Sequence, residues 1–383
     1  MSLLFEPSFA AAALAHLAVD LLNAQRPLLL VVLSVPLGLS NALIGVFSVI
    51  YTFSASLSQP LFGWVADRLG GRWLAAGGVL WMAGMFGLAV LAPGYLSLVL
   101  LVLAALGSGA FHPAGTVEAA EVGRIRFSGR ETTAASLFFL FGQAGYSLGP
   151  AIGGPIVDKW GPAGLLVFLP LVITAGINAG IHFAPFQPAP ALDPAEKAPV
   201  AFNGRWGLLV PFVLLAALRS WSQTNIVTFL PKYYSDLGYS PSLFGLIAAL
   251  FMGGSALGGV GGGWLADHFN KRAVVVWTLL LGVVPLALFP ALGQTAWVYL
   301  LSPIAGALTG ASNSIVIVEA QRMMPQRPGT ASGVALGFMF AAGSVGTMFS
   351  GLQLDRVGFT PFFLTTAAIT LAAAVMGLWL GKE

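Results

Sequence analysis

This chain of 383 residues is too apolar for a water-soluble protein, because 57% of its residues are hydrophobic and only 8% are charged, against about 25% charged residues in a typical soluble domain. It contains no Cys, which excludes disulfide frameworks, thiolate metal sites and Cys nucleophiles, and its four His residues show no spacing typical of metal ligands. The composition predicts an all-α membrane protein without a metal or a cofactor. The net charge of +3 is then explained by membrane topology and not by binding to nucleic acid.

Twelve apolar segments are each long enough to cross the roughly 30 Å hydrocarbon core of a bilayer as a helix. Their ends are marked by Gly, Pro and charged residues, and the predicted spans are residues 8–33, 41–66, 73–92, 97–120, 133–157, 162–185, 207–232, 242–266, 273–292, 296–321, 330–353 and 360–381. The first span contains Asp20, Asn23 and Arg26 and has no Lys or Arg before it, so we expect a retained helix and not a cleaved signal peptide.

Basic residues predict the orientation of these spans. Arg and Lys concentrate in the loops that follow the even-numbered spans, and the positive-inside rule therefore places both termini on the cytoplasmic side of a bacterial inner membrane. The longest hydrophilic connection is rich in Pro and Ala and separates six spans from six. We expect an N-terminal half (1–185), a cytoplasmic linker (186–206) and a C-terminal half (207–383).

The two halves share an internal repeat. A shift of 200 positions superimposes Gly63, Trp64, Ala66, Asp67 and Arg72 on Gly263, Trp264, Ala266, Asp267 and Arg272. Apolar composition does not explain matches that include an Asp, an Arg and a Trp, so the halves are predicted to be duplicates. Parallel repeats of six helices are typical of secondary transporters that hold a solute near the bilayer midplane. The predicted architecture is twelve transmembrane helices in two pseudo-symmetric six-helix halves.

The loop between the second and third spans reads Gly63-Trp64-Val65-Ala66-Asp67-Arg68-Leu69-Gly70-Gly71-Arg72, and it resembles the signature of the major facilitator superfamily. The resemblance implies the major facilitator fold and a monomeric transporter that works by alternating access. Charges in this loop can form switchable ion pairs and helix-end contacts, and we expect them to latch the outward-facing state. The predicted gating residues are Asp67, Arg68, Arg72, Asp267, Arg272, Glu118 and Glu319. The alternative is that these charges only anchor helix ends and fix the topology.

The fifth span contains a glycine motif similar to the GxxxGPxxGG pattern of drug/proton antiporters in this superfamily. Its predicted helix-packing residues are Gly145, Gly149, Pro150, Gly153 and Gly154. Small residues four positions apart allow helices to approach closely, and the proline bends the helix. Three further segments are similar to the fosmidomycin-resistance branch of the superfamily: Phe111-His112-Pro113, Ser136-Leu137-Phe138 and Phe229-Leu230-Pro231. This resemblance implies a proton-coupled exporter of drug-like compounds.

Three polar side chains of the first span share one helix face, because His16, Asp20 and Asn23 follow each other at intervals of four and three residues. An ionised side chain at the centre of a membrane helix costs about 2.5–3.5 kcal/mol, so such residues are candidates for function. Asp20 is the predicted proton-coupling carboxyl, and His16 and His112 are candidate proton relays. The alternative for Asp20 is a permanently ionised, paired carboxylate that holds helices together.

Arg219 is the corresponding charge in the seventh span. Its guanidinium presents five donors in a planar fork that suits a carboxylate, a phosphate or a phosphonate. It is predicted either to hold an anionic solute or to pair with Asp20 when the site is empty. The other predicted solute contacts are polar and aromatic residues expected to line the cavity: Asn23, Gln223, Asn313, Tyr146 and Phe138.

Two transport functions fit these residues. The first is proton-coupled efflux of small amphiphilic or anionic compounds, with protons and solute competing for one site. The second is a proton-coupled or facilitative importer of a sugar or an organic acid, because the residues do not fix the direction of transport. An enzyme is not expected, since the chain shows neither a cluster of catalytic spacing nor a GxxxxGK[ST] loop.

Overall fold

The computed structural model describes residues 3–127, 131–184, 206–323 and 328–380, and the regular structure in these residues is helical. Two short 3-10 helices cover Leu3–Phe5 and Pro162–Phe168. The α-helices are α1 (Pro7–Asn23), α2 (Gln25–Leu37), α3 (Asn41–Ser56), α4 (Gln59–Leu69), α5 (Gly71–Leu91), α6 (Tyr95–Arg126), α7 (Glu131–Trp160), α8 (Leu169–His182), α9 (Trp206–Asp236), α10 (Pro241–His268), α11 (Lys271–Leu292), α12 (Val298–Gly310), α13 (Asn313–Met323), α14 (Pro328–Val357) and α15 (Phe359–Gly377).

The helices follow the predicted spans in order. In the described residues, ten helical stretches are long and apolar enough to cross a membrane. The other two predicted spans correspond to α7 and α9, which have 30 and 31 residues. These two helices are less apolar because they carry polar residues such as Gln143 in α7 and Arg219 in α9. The chain is therefore a multi-pass α-helical membrane protein. Its two least apolar spans, α7 and α9, carry several of the candidate site residues.

Three predicted spans are interrupted. The first is divided between α1 and α2 at Ala24, the second just after Ser56, and the tenth just after Gly310. Two candidate site residues lie at these interruptions, since Asn23 ends α1 and Asn313 begins α13. Interrupted membrane helices are typical of the regions in which transporters bind solutes and ions.

The chain forms two compact units. The first contains Met1–Gly38, Ile50–Ala191 and Gly238–Ala249, and the second contains Leu39–Val49, Leu192–Leu237 and Leu250–Glu383. Each unit consists mainly of one predicted half, but the beginning of α3 belongs to the second unit and the beginning of α10 to the first. The linker predicted at 186–206 lies almost wholly outside the described residues.

A row of glycines on α7 lies against α1 and α2 in the first unit. A Cβ atom at Gly145 would meet the backbone of Leu17, and one at Gly149 would lie 2.7 Å from the Cβ of Ala24. A Cβ at Gly153 would meet a side chain of α2. The helices therefore pack with their backbones nearly in contact, which small residues at this spacing allow.

The end of the same glycine motif contacts α10 within the first unit. A Cβ at Gly154 would lie 3.2 Å from the Cα of Gly245, and a Cβ at Gly245 would lie 2.5 Å from the carbonyl oxygen of Pro150. Close by, the hydroxyl of Ser242 donates a hydrogen bond of 2.5 Å to the carboxylate of Asp158. Helix α7 thus has close neighbours on two sides.

In the second unit, the polar face of α9 is matched by polar groups of α14 and α15. The indole N–H of Trp221 donates to Ser350 at 2.9 Å, and the amide of Asn225 donates to Thr366 at 3.1 Å. The hydroxyls of Ser222 and Thr370 lie 2.5 Å apart. Burial of a polar group is unfavourable unless the group is hydrogen-bonded. The stability of α9 inside the protein therefore depends on α14 and α15.

The beginning of α3 is capped by a carboxylate of α14, also within the second unit. Asp355 accepts hydrogen bonds from the backbone N–H groups of Asn41 at 2.9 Å and of Ala42 at 2.8 Å, and from the Asn41 side chain at 2.9 Å. These backbone donors have no acceptor inside α3, and a negative charge interacts favourably with the N-terminal end of a helix. Ser40 is the N-cap residue of α3, because its hydroxyl accepts from the N–H of Leu43 at 3.2 Å, and Asp355 caps two further N–H groups from far away in the sequence.

We expect Asp355→Asn to lower the melting temperature of the protein in detergent, because an amide lacks the charge and the second acceptor oxygen. Loss of an N-cap costs about 1 kcal/mol. Asp158→Asn is the matched control, because the described contacts of Asp158 include one hydrogen bond, from a side chain. An equal or larger decrease in the control would contradict the role of Asp355 as the cap.

Candidate functional site

His16, Asp20 and His112 form one cluster in the first unit. The Nε2 atom of His16 lies 3.2 Å from one carboxylate oxygen of Asp20, and the Nε2 atom of His112 lies 3.6 Å from the other. The side chains are 3%, 8% and 20% exposed, so the cluster is largely removed from water. The structure thus brings together the three residues predicted for proton coupling, two from α1 and one from α6.

Backbone contacts determine which ring nitrogens carry hydrogen. Nδ1 of His16 lies 2.7 Å from the carbonyl oxygen of Phe138, and Nδ1 of His112 lies 2.8 Å from that of Ser108. A carbonyl oxygen only accepts hydrogen bonds, so each Nδ1 is assigned a hydrogen. A neutral imidazole with its hydrogen on Nδ1 has none on Nε2, the atom that faces Asp20. A hydrogen bond between His16 and Asp20 therefore requires one further proton, on the ring or on the carboxyl group.

Asn23 orients the carboxylate of Asp20. Its amide nitrogen donates to Asp20 at 2.9 Å and to the hydroxyl of Ser108 at 3.0 Å, and its amide oxygen accepts from the hydroxyl of Tyr51 at 2.8 Å. Asn23 therefore connects α1 with α3 and α6. The roles of Ser108 and Tyr51 have no signal in the sequence, because they depend on the packing of distant segments.

Residues of α7 form the wall beside His16. The ring of Phe138 stacks on the imidazole with centroids 4.0 Å apart, and Phe138 is fully buried. A Cβ at Gly142 would lie 2.7 Å from a carboxylate oxygen of Asp20. Tyr146, one turn further along α7, is half-buried. The absence of a side chain at Gly142 thus leaves the space that the His16–Asp20 pair fills.

The same three side chains are of the types that bind transition metals. One potential ligand atom from each lies within 4.8 Å of the other two. A closed structural zinc site has four ligands, whereas here a donor from Asn23 already contacts one oxygen of Asp20. In the described residues the cluster thus offers three of the four ligands of such a site.

Arg219 lies in the interior of the second unit, and its neighbours are neutral. It is 2% exposed, and its terminal nitrogens donate to the amide oxygens of Asn313 at 3.0 Å and of Gln223 at 2.5 Å. Its Nε atom has no hydrogen-bond partner, and the described residues give it no ion pair. Amide oxygens accept hydrogen bonds without neutralising the charge, so the guanidinium still attracts an anion.

Three of the predicted solute contacts belong to this hydrogen-bonded group. Gln223 extends it to α10, because its amide nitrogen donates to the hydroxyl of Ser255 at 2.8 Å. Arg219, Gln223 and Asn313 therefore join α9, α10 and α13. The other three predicted contacts, Asn23, Tyr146 and Phe138, lie in the first unit around Asp20.

The predicted gating residues lie near helix ends and have different partners. Arg72 donates to the carbonyl of Gly180 at 2.6 Å, and Glu118 accepts from the backbone N–H just beyond α8 at 3.1 Å. Both contacts hold the end of α8. In the second unit, Glu319 lies 3.6 Å from Lys271, which belongs to the repeat copy of the signature loop.

The remaining gating residues belong to the two loop copies themselves. The guanidinium of Arg68 lies 4.0 Å from the ring of Trp64, and Arg272 lies in the first turn of α11. The side chains of Asp67 and Asp267 lie outside the described residues. Their gating role stays a prediction.

Comparison with known proteins gives one family. The family model described as Major Facilitator Superfamily matches residues 9–220 and 212–383. The Fosmidomycin resistance protein of Escherichia coli (strain K12) is 28% identical over 359 residues, which are 90% of this chain and 86% of that protein. The 4-hydroxybenzoate transporter PcaK of Pseudomonas putida is 28% identical over 391 residues, covering 89% of this chain and 83% of its own length. A crystal structure of the nucleoside transporter NupG has the same fold, with a TM-score of 0.78 at 15% identity over 98% of this chain and 100% of that one.

We expect Gly142→Ala to lower the melting temperature in detergent, because the added methyl group would displace His16 or Asp20. Overpacking of this kind costs about 1–3 kcal/mol. Gly77→Ala is the matched control, because a Cβ there meets nothing within 4 Å and alanine is the better helix former. Equal melting temperatures for the two variants would show that the His16–Asp20 pair does not fill this space.

Proposed function

We propose that this membrane transporter, which belongs to the Major Facilitator Superfamily, couples the inward flow of protons to the export of small amphiphilic or anionic solutes. It works by alternating access, as a monomer in a bacterial inner membrane with both termini in the cytoplasm. The observation that supports proton coupling most directly is the 3.2 Å contact between His16 Nε2 and Asp20, which requires a proton.

The cluster can hold one or two protons beyond the two Nδ1 hydrogens. With none its net charge is −1, with one it is neutral, and with two it is +1. Because the cluster is largely buried, each change in its net charge alters the free energy of the protein conformation that encloses it. Loading and unloading of protons therefore shifts the balance between the conformations in which the site is open to one side or the other.

The solute class is supported by Arg219. A buried guanidinium that is held by two amides, with no carboxylate partner among the described residues, suits an oxyanion, since a carboxylate, phosphate or phosphonate accepts two parallel hydrogen bonds from its fork. One relative carries the name Fosmidomycin resistance protein, and fosmidomycin is a phosphonic acid. In this proposal Asn23, Tyr146 and Phe138 help to shape the solute site, together with Gln223 and Asn313.

The charged loops serve as gates. Asp67, Arg68 and Arg72 in the signature loop, with Asp267 and Arg272 in its repeat copy, make contacts that hold one conformation and are released in the other. The 3.6 Å pair between Lys271 and Glu319 supports an ionic contact at the repeat loop. Glu118 and Arg72 hold the end of α8, from which the linker between the halves begins.

A second candidate is a proton-coupled importer of an organic acid or a sugar. A proton on the cluster makes it less negative and so favours an anion nearby, which couples proton and anion in the same direction. The name of one relative, 4-hydroxybenzoate transporter, also agrees with an organic acid as solute. The direction in which protons move when solute is added separates the two candidates.

Asp20→Asn is expected to abolish solute-driven proton movement in proteoliposomes, because an amide can neither gain nor lose the proton. An internal pH-sensitive dye would report proton flux after addition of fosmidomycin, 4-hydroxybenzoate, glucose or tetraphenylphosphonium, with and without EDTA. His16→Gln is expected to have a similar effect. His182→Gln is the control, because His182 lies at the end of α8 outside the cluster.

Three results would count against this assignment. Solute flux without proton movement in the wild type would indicate a facilitator. Proton movement retained in Asp20→Asn would move coupling to another group. Loss of flux in EDTA would indicate that the cluster binds a metal.

Arg219→Lys is expected to raise the KM for fosmidomycin and 4-hydroxybenzoate about tenfold or more, because an ammonium lacks the planar fork. The KM for tetraphenylphosphonium should not rise. Arg126→Lys is the matched control, because Arg126 pairs with Glu6 and its side chain is 60% exposed. A wild-type KM for both anions in Arg219→Lys would show that Arg219 has a structural role only.

A further inference from the structure

A second arginine inside a span has no carboxylate partner among the described residues. Arg26 is the second residue of α2, and its side chain is partly exposed. One terminal nitrogen donates to the hydroxyl of Thr52 at 3.1 Å, and the Nε atom finds no hydrogen-bond partner in the part of the chain that the structure describes. In the described part of the chain no carboxylate lies within ion-pair distance of it. The guanidinium thus keeps donors available for a ligand.

An aromatic ring holds this guanidinium in place. The central carbon of the Arg26 guanidinium lies 5.0 Å from the centroid of the Tyr51 ring, a distance typical of cation–π contacts. The ring and Thr52 fix the side chain without neutralising its charge. A cation inside a membrane span is costly, whereas the two carboxylates that are buried in the described part of the first unit have charged or ionisable partners, Asp20 with two His residues and Glu6 with Arg126.

Tyr51 also connects this arginine to the proton site. Its hydroxyl donates to the amide oxygen of Asn23 at 2.8 Å, and the amide nitrogen of Asn23 donates to Asp20 at 2.9 Å. A ligand that moves the Arg26 side chain over the Tyr51 ring would therefore act on Tyr51, whose hydroxyl is connected to the Asp20 carboxylate through two hydrogen bonds. Charge at Arg26 and charge at Asp20 are thus linked through one tyrosine.

We propose that Arg26 is a solute-binding residue of the first unit that holds an oxyanion, either a carboxylate or a phosphonate, above the Tyr51 ring. The inference rests on the proposed transport function and adds a second anion-binding residue to it. A solute is favoured over the headgroup of an anionic lipid, because the span Pro7–Leu37 continues for eleven residues beyond Arg26, about 16 Å along the helix axis. The solute anion and the transported proton then act on the same linked set of side chains.

The test measures binding of fosmidomycin and 4-hydroxybenzoate to the purified full chain in phosphatidylcholine nanodiscs, by calorimetry. Arg26→Gln is expected to weaken binding of both anions about ten- to a hundredfold, the effect of losing a charge-assisted hydrogen bond at a desolvated site. Binding of tetraphenylphosphonium should be unchanged or stronger. Lys159→Gln is the matched control, because it removes the same charge from a cation that lies over the ring of Trp160, and it should bind both anions as the wild type does.

Unchanged affinity for both anions in Arg26→Gln would overturn the proposal. Should that variant not fold, Arg26→Lys keeps the charge, and affinity for fosmidomycin equal to the wild type would overturn it in the same way. The measurement is repeated with phosphatidylglycerol in the nanodiscs. Competition by this lipid that depends on Arg26 would identify a headgroup site and refute the solute role.

Failure of the proposed transport function and failure of the proposed Arg26 site give different results. If no solute moves protons in the wild type while both anions still bind in an Arg26-dependent way, the transport proposal fails and the binding site stands. If solute-driven proton flux depends on Asp20 and Arg219 but is the same in Arg26→Gln, the function stands and the role of Arg26 fails.

Discussion

The close contact between α7 and the first two helices is the constraint on which the rest of the first unit depends. Four glycines, Gly142, Gly145, Gly149 and Gly153, leave no room for side chains along this contact. Only at this separation does the carbonyl of Phe138 reach the ring of His16. That carbonyl in turn fixes the hydrogen on Nδ1 and leaves Nε2 facing the carboxylate. Helix packing and proton chemistry are therefore set by the same few residues.

The family model matches both halves of the chain, but the two units differ in chemistry. The first places a carboxylate between two imidazoles, and the second places a guanidinium between two amides. The repeat itself shows the same difference, because the position equivalent to Arg219 in the first half is Val19. An acidic residue on α1 of the first unit thus contrasts with a basic residue on α9 of the second.

The sequence predicts the helices well, because each span must be apolar over a fixed length. The third span, expected at 73–92, is α5 at Gly71–Leu91. The interruptions at Ala24 and after Gly310 lie within single predicted spans, because the apolar character of the sequence continues on both sides of them, although Pro27 follows the first and Gly310 stands at the second.

The candidate site was predictable only in part. The shared face of His16 and Asp20 follows from helical spacing, but the approach of His112 depends on how α6 packs against α1. The same holds for the link from Tyr51 to Asn23, because residues on separate helices have no fixed relation in the sequence. For Arg219 two interpretations stayed open, an anion-binding residue or a partner of Asp20; helical spacing places Gln223 one turn from it, but the approach of Asn313 from α13 depends on packing.

The dependence of α9 on α14 and α15 has a consequence for how the protein is made. Helices enter the membrane in the order of synthesis, and α9 emerges from the ribosome well before the segments that carry Ser350, Thr366 and Thr370. Until those two helices arrive, the polar groups of α9 face lipid, water or the insertion machinery without their final partners. Completion of the second unit must therefore wait for α14 and α15, so quality control acting on unassembled membrane segments would find α9 exposed in any product that lacks these two helices.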